Sequence, residues 1–235
     1  MEVFNCHRCK SGLCISKVAV FSGLSHEDML EIIKLTGHKS YEKGEYLCHE
    51  GDRLSTLFIV NSGKVKLSKF NVDGKEQILN IISDGDIFGE YHLFSDSEPY
   101  NFSAIALSTT KICTLSKKNM DYILNKHPNI SQKILIELSK KLIKTENLVQ
   151  NLSNVNTDAK VAYVLLELAE KYGETVNDKI QIKMPLTREE MANYAGVTRE
   201  TMSRKLSSFT EDGLIETKGY KIIVIKKMNK LNEII

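Results

Sequence analysis

Hydrophobic residues in the first half of the chain fall in short runs that are separated by glycine-containing turns. Val65 and Leu67 alternate with Lys64 and Lys66, which is the pattern of a half-buried strand. Phe58-Ile59-Val60 is a second apolar run of strand length. Turn signals follow at Asp73-Gly74 and at 84–86. Short strands separated by turns predict an antiparallel sandwich or barrel.

The hydrophobic period changes to that of a helix after Pro128. The spacing is 3-4-3-4-3, which is the a/d seam of a coiled coil of about three heptads, with Thr145 as the polar member. A helix packed on its own domain also carries an apolar stripe. The narrow seam, which lies between two compositionally distinct regions, favours a helix that pairs with its copy in a dimer. The seam consists of Leu135, Leu138, Leu142, Thr145, Val149 and Leu152, and its expected dimerisation residues are Leu135, Leu138, Leu142 and Val149.

Two short helices joined by a glycine turn are predicted near the C-terminus. Thr187 and Glu190 form a capping box that starts the first helix. Gly196 takes the turn and Thr198 caps the second helix. A hairpin at Lys218-Gly219 follows and can serve as a wing. This arrangement is the helix-turn-helix pattern.

The second of these helices presents side chains that can read base edges. Arginine donates two hydrogen bonds to guanine, and glutamate accepts one from cytosine. Recognition helices read bases mostly with their N-terminal residues. A plain helical hairpin with a solvated charged face is the alternative, but the caps, the glycine and the following hairpin favour DNA binding. The candidate DNA-binding residues are Arg199, Glu200, Ser203 and Arg204.

The composition indicates two modest globular domains. The chain has 235 residues, of which 42% are hydrophobic and 26% are charged. Its net charge is only +2, so any nucleic acid must be bound by a local surface. No apolar run approaches the roughly 20 residues of a membrane helix, and no secretory signal is evident. We therefore expect a cytoplasmic protein with no membrane partner.

Three of the five cysteines, Cys6, Cys9 and Cys14, form a C-x2-C-x4-C motif. Thiolates at this spacing suit iron–sulfur or zinc ligation. A fourth ligand is needed, and Cys48 and Cys113 are the candidates, although alternation could make Cys48 a buried small hydrophobe. Three alternatives remain open. The cysteines could form a zinc site, with or without His7; they could act as a thiol–disulfide switch; or they could be inert.

The segment from Leu186 to Arg204 resembles the DNA-binding domain of the CRP/FNR regulators. Lys43-Gly44-Glu45, Glu50-Gly51-Asp52 and Phe88-Gly89-Glu90 resemble the turns of a cyclic-nucleotide-binding β-roll. The resemblance runs from about Val18 to the C-terminus. It implies an α+β fold with an N-terminal β-roll, a long dimerisation helix and a C-terminal winged helix-turn-helix. The domains expected from it are a Cys-rich sensor segment at 1–17, a β-roll effector domain at 18–127, a dimerisation helix at 128–156 and a DNA-binding domain at 157–235.

The resemblance also bears on the effector. Relatives that bind cyclic AMP follow a Gly-Glu pair with an Arg-Ser pair that holds the phosphate. Gly89 and Glu90 are present, but residues 98–104 contain no arginine, so we expect no binding of cyclic AMP. Cys113 lies in a segment that resembles the strand where FNR proteins place their distant fourth ligand. The resemblance therefore assigns a [4Fe–4S] cluster to Cys6, Cys9, Cys14 and Cys113, with one residue fewer between the second and third ligands than in enterobacterial FNR.

The function implied is a homodimeric transcription regulator that binds palindromic double-stranded DNA, works with RNA polymerase and responds to oxygen or redox state. Alternatives are a regulator that uses a thiol–disulfide switch, zinc or a small-molecule effector, and a ligand-independent regulator. Glu200, Ser203 and Arg204 match FNR proteins, which read TTGAT, whereas Arg199, Glu200 and Arg204 match CRP, which reads TGTGA. The scattered histidines and the absence of a P-loop or Gly-x-Ser-x-Gly motif argue against an enzyme.

Overall fold

A computed structural model of the protein describes residues 15–95, 98–177 and 179–235. The chain forms two compact units. Of the described residues, the first unit contains 15–70 together with Leu79–Leu142, and the second contains Asn71–Ile78 together with Ile143–Ile235. Cys6, Cys9 and Cys14 lie outside the described residues. Among the helices that are described, none is long and apolar enough to cross a membrane.

The described part of the first unit starts with two 3-10 turns and a short helix, α1, whose N-terminus is capped by Ser25. Eight strands follow and form two four-stranded sheets, in the orders β1-β8-β3-β6 and β2-β7-β4-β5. The pairings of known register are all antiparallel. The elements are Ile15–Lys17, Ala19–Phe21, α1 (His26–Lys34), β1 (Gly37–Tyr41), β2 (Tyr46–Cys48), β3 (Thr56–Ser62), β4 (Val65–Phe70), β5 (Glu76–Ile82), β6 (Ile87–Phe88), α2 (Glu90–Phe94), β7 (Ser103–Ala106), β8 (Thr110–Ser116) and α3 (Lys117–Lys126).

The turn predicted at Asp73-Gly74 connects β4 to β5. The backbone N–H of Asn71 donates to the carbonyl of Lys75 at 3.0 Å, which closes the hairpin. Gly74 has φ +75°, a left-handed conformation that glycine adopts without strain. The prediction of short strands separated by turns is therefore confirmed.

Two separate hydrophobic clusters form the interior of the first unit. The inner cluster contains Phe58, Phe88, Tyr100 and Phe102 together with Cys48. The outer cluster includes residues of the two 3-10 turns at the start of the described chain, of the helices, and of strands β3, β6 and β8. Its buried members are Ile15, Val18, Val20, Phe21, Ile32, Leu57, Ile59, Ile87, Leu93, Cys113, Leu115, Met120, Ile123, Ile130 and Ile134.

The long helix predicted after Pro128 is α4 (Asn129–Ser153). Its first turns carry Ile130 and Ile134 into the outer cluster. Leu138 also packs against that cluster, although it is only partly buried. The beginning of the helix is therefore held by its own unit, and the remainder continues beyond that unit's cluster.

The second unit carries three helices, a four-stranded sheet of order β11-β12-β10-β9 and a short final helix. Buried faces of α5 and α6 pack together, and the Gly196 turn leads into α7. The predicted α+β fold of β-roll, long helix and winged helix-turn-helix is confirmed. The elements are α5 (Thr157–Tyr172), β9 (Gly173–Val176), β10 (Lys179–Lys183), α6 (Arg188–Ala195), α7 (Arg199–Glu211), β11 (Ile215–Lys218), β12 (Ile222–Ile225) and α8 (Met228–Asn232).

Candidate functional site

Local hydrogen bonds fix the N-terminus of α6, which is the first helix of the helix-turn-helix. The backbone N–H of Thr187 donates to the Glu190 carboxylate at 2.9 Å, and the Glu190 N–H donates to Thr187 Oγ1 at 3.2 Å. This is the predicted capping box. Gly196 follows with φ +66°, and a Cβ there would lie 2.7 Å from a methyl carbon of Leu152. The turn between α6 and α7 is therefore set by backbone geometry that favours glycine.

Helix α7 has one buried and one exposed face. Its N-terminus is capped by Thr198, whose Oγ1 accepts from the N–H of Thr201 at 3.2 Å. Met202, Leu206 and Phe209 are buried, and the helix packs against α5, α6 and β11. The opposite face of the first two turns points to solvent. It carries all four candidate DNA-binding residues, Arg199, Glu200, Ser203 and Arg204.

The wing adds polar side chains to the four candidate DNA-binding residues of α7. Strands β11 and β12 are joined by a tight turn at Gly219, which has φ +62°. Lys218 and Lys221 are exposed on either side of it, and Tyr220 is 85% exposed. Lysine and tyrosine side chains commonly contact DNA phosphates, which position a protein on the duplex. The run Lys218-Gly219-Tyr220-Lys221 was the available sequence signal.

An apolar stripe on α4 faces solvent in the single chain. The predicted seam residues differ in exposure, since Leu138 packs against its own unit while Leu142 is 60% exposed. The exposed stripe also includes Ile136 and Ile143, which the 3-4 spacing did not select because they lie one position beyond it. Contiguous exposed apolar surface is typical of an interaction site. The stripe consists of Leu135, Ile136, Leu142, Ile143 and Val149.

Aromatic rings fill the inner cluster of the β-roll. Phe58 and Phe88 stack with centroids 4.7 Å apart, and His92 lies 4.1 Å from the ring of Tyr100. The Tyr100 hydroxyl donates to the carbonyl of Thr56 at 2.8 Å, and burial raises the pKa of this phenol. Burial also lowers the pKa of His92, so the imidazole is neutral near neutral pH.

Gly89 and Glu90 have structural partners. Gly89 has φ +87°, and a Cβ there would lie 2.5 Å from the carbonyl oxygen of Thr56. Glu90 is 2% exposed and its carboxylate forms an ion pair with Lys141 of α4. Lys141 also donates to the carbonyl of Ile87 at 2.7 Å. The Gly-Glu pair therefore serves as a turn and as an anchor for α4.

The two described cysteines lie in different clusters. Cys48 belongs to the inner aromatic cluster, where burial raises the pKa of its thiol to about 12. Cys113 is 3% exposed in the outer cluster, which also contains Ile15, the residue after Cys14. Of the two thiols, only that of Cys113 shares a cluster with the residue that follows Cys14.

Cys113 has an imidazole neighbour. Its Sγ lies 3.3 Å from Nδ1 of His38, and burial lowers the pKa of that imidazole. Within the described ranges no group of three or more His, Cys, Asp or Glu side chains could hold a metal ion. The structure places Cys113, but the assignment of Cys6, Cys9 and Cys14 concerns residues outside those it describes. The possible ligands described at this position are therefore one thiol and one imidazole.

Comparisons with known proteins match both units. Residues 38–127 match the model of the cyclic nucleotide-binding domain, and residues 159–234 match the Crp-like helix-turn-helix domain. The chain is 27% identical over 210 residues to a CRP-like cAMP-activated global transcriptional regulator of Mycobacterium tuberculosis (strain CDC 1551 / Oshkosh), with 89% of this chain and 93% of the relative covered. It is 30% identical over 229 residues to the fumarate and nitrate reduction regulatory protein of Salmonella typhimurium, with 97% and 88% covered. The solved structure of FixK2 from Bradyrhizobium japonicum has a similar fold, with a TM-score of 0.74, 24% identity, and coverage of 85% of this chain and 96% of that one.

Proposed function

Because this chain belongs to the CRP/FNR family of transcription regulators, we propose that it is a homodimeric, redox-responsive regulator of palindromic operators. Its relatives are DNA-binding regulators and not enzymes. The observation that carries the proposal is the exposed face of α7. This face presents the four candidate DNA-binding side chains directly after the Gly196 turn and the Thr198 N-cap. Such a regulator also works with RNA polymerase. It acts in the cytoplasm.

Each side chain on the α7 face has a role in operator binding. Arg204 donates two hydrogen bonds to guanine, and Glu200 accepts from the opposing cytosine. Ser203 contacts a neighbouring thymine, while Arg199 reads an outer guanine or holds a phosphate. Lys218 and Lys221 of the wing contact the backbone and contribute salt-dependent affinity without sequence preference.

The exposed stripe of α4 provides the dimer interface. Two copies that pair along Leu135, Leu142 and Val149 bury apolar area that one chain leaves in water. Ile136 and Ile143 widen the contact. A symmetric dimer is what a palindromic operator requires, because the two recognition helices must reach half-sites about 34 Å apart.

The sensor consists of Cys6, Cys9, Cys14 and Cys113, which would hold a [4Fe–4S] cluster. When bound, such a cluster supplies a centre that oxygen or nitric oxide can destroy. Cys113 shares the outer cluster with Ile15 whereas Cys48 does not, and this supports Cys113 as the ligand. A zinc ion or a thiol–disulfide switch at the same cysteines is the alternative. We propose 1–17 as the sensor segment, 18–127 as the effector domain, 128–156 as the dimerisation helix and 157–235 as the DNA-binding domain.

The outer cluster offers a route from sensor to dimer. Cys113 shares this cluster with Ile130 and Ile134, which lie at the beginning of α4. Ile15 belongs to the same cluster, and because protein interiors are close-packed, a displacement of Ile15 would alter the packing around these two residues. The same helix then continues into the exposed stripe. Loss of the sensor's metal centre would in this way loosen the dimer and weaken DNA binding.

The aromatic filling of the inner cluster supports a β-roll that does not depend on cyclic AMP. Tyr100 and Phe102 lie in the segment that lacks the arginine expected of a cyclic-nucleotide site, and their rings are buried. Glu90 is engaged by Lys141. A bound phosphate would need a charge-assisted donor in this region.

Fluorescence anisotropy of labelled palindromic duplexes tests the proposed function. Protein kept strictly without air should bind a duplex with TTGAT or TGTGA half-sites at least about tenfold more tightly than the same protein after exposure to air. A duplex with scrambled half-sites, at the same salt concentration, provides the control. Equal binding to operator and scrambled duplexes would contradict sequence-specific regulation, and equal binding with and without air would contradict the redox response.

A further inference from the structure

A surface cavity lies in the second unit, between α5, β10 and α8. Its volume is about 470 Å³, within the range of about 300–1,000 Å³ that is usual for small-molecule sites. Most of its lining is apolar and comes from all three elements, with Leu166 and Ala169 on α5, Ile180 on β10 and Met228 on α8. None of the four candidate DNA-binding residues lines it. A ligand could therefore occupy this cavity without displacing the side chains that we assign to operator binding.

One face of α5 lines the cavity. Tyr163, Leu166 and Glu167 follow the i, i+3, i+4 spacing of a single helix face, and Glu170 lies on the same face in the next turn. The first three are only partly buried, and Glu170 is exposed. Elsewhere along its surface α5 packs against α6 and α7, which form the helix-turn-helix. The cavity face is therefore a part of this supporting helix that its own unit leaves accessible.

The charged groups that line the cavity are acidic. Burial raises the pKa of Tyr163 to about 12, and the nearby carboxylates of Glu167 and Glu170 contribute to the rise. Nζ of Lys144 lies 3.9 Å from the Glu167 carboxylate and partly balances its charge. Among the described residues Glu170 has no ion-pair partner. The cavity therefore offers an unpaired carboxylate beside a neutral phenol, which can donate or accept a hydrogen bond.

We infer that this cavity binds a small organic cation with an apolar body, of the arylalkylammonium class. The apolar body lies against Leu166, Ile180 and Met228. The ammonium donates to the Glu170 carboxylate in a charge-assisted hydrogen bond. This class follows from the lining, because apolar walls cannot replace the water shell of an inorganic ion and the carboxylates repel an anion. The site lies apart from the proposed cysteine sensor, and the inference does not rest on the proposed function.

Isothermal titration calorimetry of the full-length protein without DNA tests the inference. The probes are 4-phenylbutylammonium, 4-phenylbutanol and 4-phenylbutanoate, which share one apolar body and differ in charge. The cation should bind at least about tenfold more tightly than the alcohol, as expected of one hydrogen bond to a charged group, and the anion should bind more weakly than both. An affinity for the cation no higher than that for the alcohol or the anion would overturn the inference.

Glu170→Gln removes the proposed charge partner at an exposed position and keeps the shape of the side chain. It should lower the affinity for the cation at least about fivefold and leave that for the alcohol unchanged, because only the charge-assisted hydrogen bond is lost. Glu211→Gln is the matched control, since this exposed carboxylate of α7 does not line the cavity, and it should change neither affinity. An unchanged affinity for the cation in Glu170→Gln, or an equal loss in Glu211→Gln, would contradict binding at this carboxylate.

Methyl NMR of methionine-labelled protein locates the bound cation. The Met228 methyl signal, assigned with Met228→Leu, should shift on addition of 4-phenylbutylammonium and show nuclear Overhauser effects to the phenyl protons. Met202, which is fully buried in α7, should do neither. Phenyl contacts with other methionines but not with Met228 would place the ligand elsewhere and refute the inference. No cysteine enters these measurements, so their outcome is separate from that of iron and sulfide analysis of the proposed cluster.

Discussion

The exposed stripe on α4 leads to a prediction about Leu142. Leu142 is 60% exposed in the single chain, and we propose that a second copy covers it. Full burial of a leucine side chain gains about 1.5–3 kcal/mol, so covering this fraction gains about 1–2 kcal/mol per protomer. Symmetry doubles the effect. Leu142→Ala should therefore weaken dimerisation by about 2–4 kcal/mol, which raises the dimer Kd by about 30- to 700-fold.

Sedimentation equilibrium over a range of protein concentrations, without air, measures this change. Leu54→Ala provides a matched control, because Leu54 is 43% exposed but lies outside α4. Leu138→Ala should also reduce the thermal stability of the first unit, because Leu138 packs against its own cluster. A dimer Kd for Leu142→Ala equal to that of the wild type, or an equal increase in Leu54→Ala, would contradict a dimer interface on α4.

Three further predictions concern DNA binding and pH. Arg204→Ala should lose about 1–3 kcal/mol of binding free energy on operators with an intact TGA core, and little on a scrambled duplex, as measured by anisotropy. An equal loss on both duplexes would contradict a role for Arg204 in reading guanine. Arg199→Ala should weaken TGTGA sites more than TTGAT sites, whereas equal losses with a shallower salt dependence would show that it grips only the backbone. Burial lowers the pKa of His92, so the unfolded state binds more protons, and stability should be greatest above about pH 6.5 and fall as the pH drops below it. Urea midpoints of His92→Gln should fall less between pH 7 and pH 5 than those of the wild type or of His26→Gln, and parallel curves would contradict this assignment.

Features set by local chemistry were predictable from the sequence. The capping box at Thr187 and Glu190, the left-handed turn at Gly196 and the hairpin at Gly74 each depend on a few adjacent residues. Their geometry follows from backbone sterics and short-range hydrogen bonds. The helix after Pro128 was also predictable from its period.

Features set by tertiary packing were not predictable in the same way. The periodicity of α4 did not reveal that Leu138 packs against its own unit while Ile143 is exposed, because the neighbours of a helix decide which flank of a stripe is covered. Both Cys48 and Cys113 are buried, and their membership of different clusters depends on tertiary packing that the sequence pattern does not show. His38 was missed as a neighbour of Cys113 because 75 positions separate them and strand pairing brings them together.

The iron and sulfide content of anaerobically purified Cys113→Ser and Cys48→Ser proteins tests the central claim most directly. The wild type and Cys48→Ser should contain about four iron and four sulfide ions per chain and lose them in air, as expected of a [4Fe–4S] centre. Cys113→Ser should contain little of either and should bind operator DNA no better without air than with it. Iron and sulfide retained in Cys113→Ser but lost in Cys48→Ser, or absent from the wild type, would contradict the account.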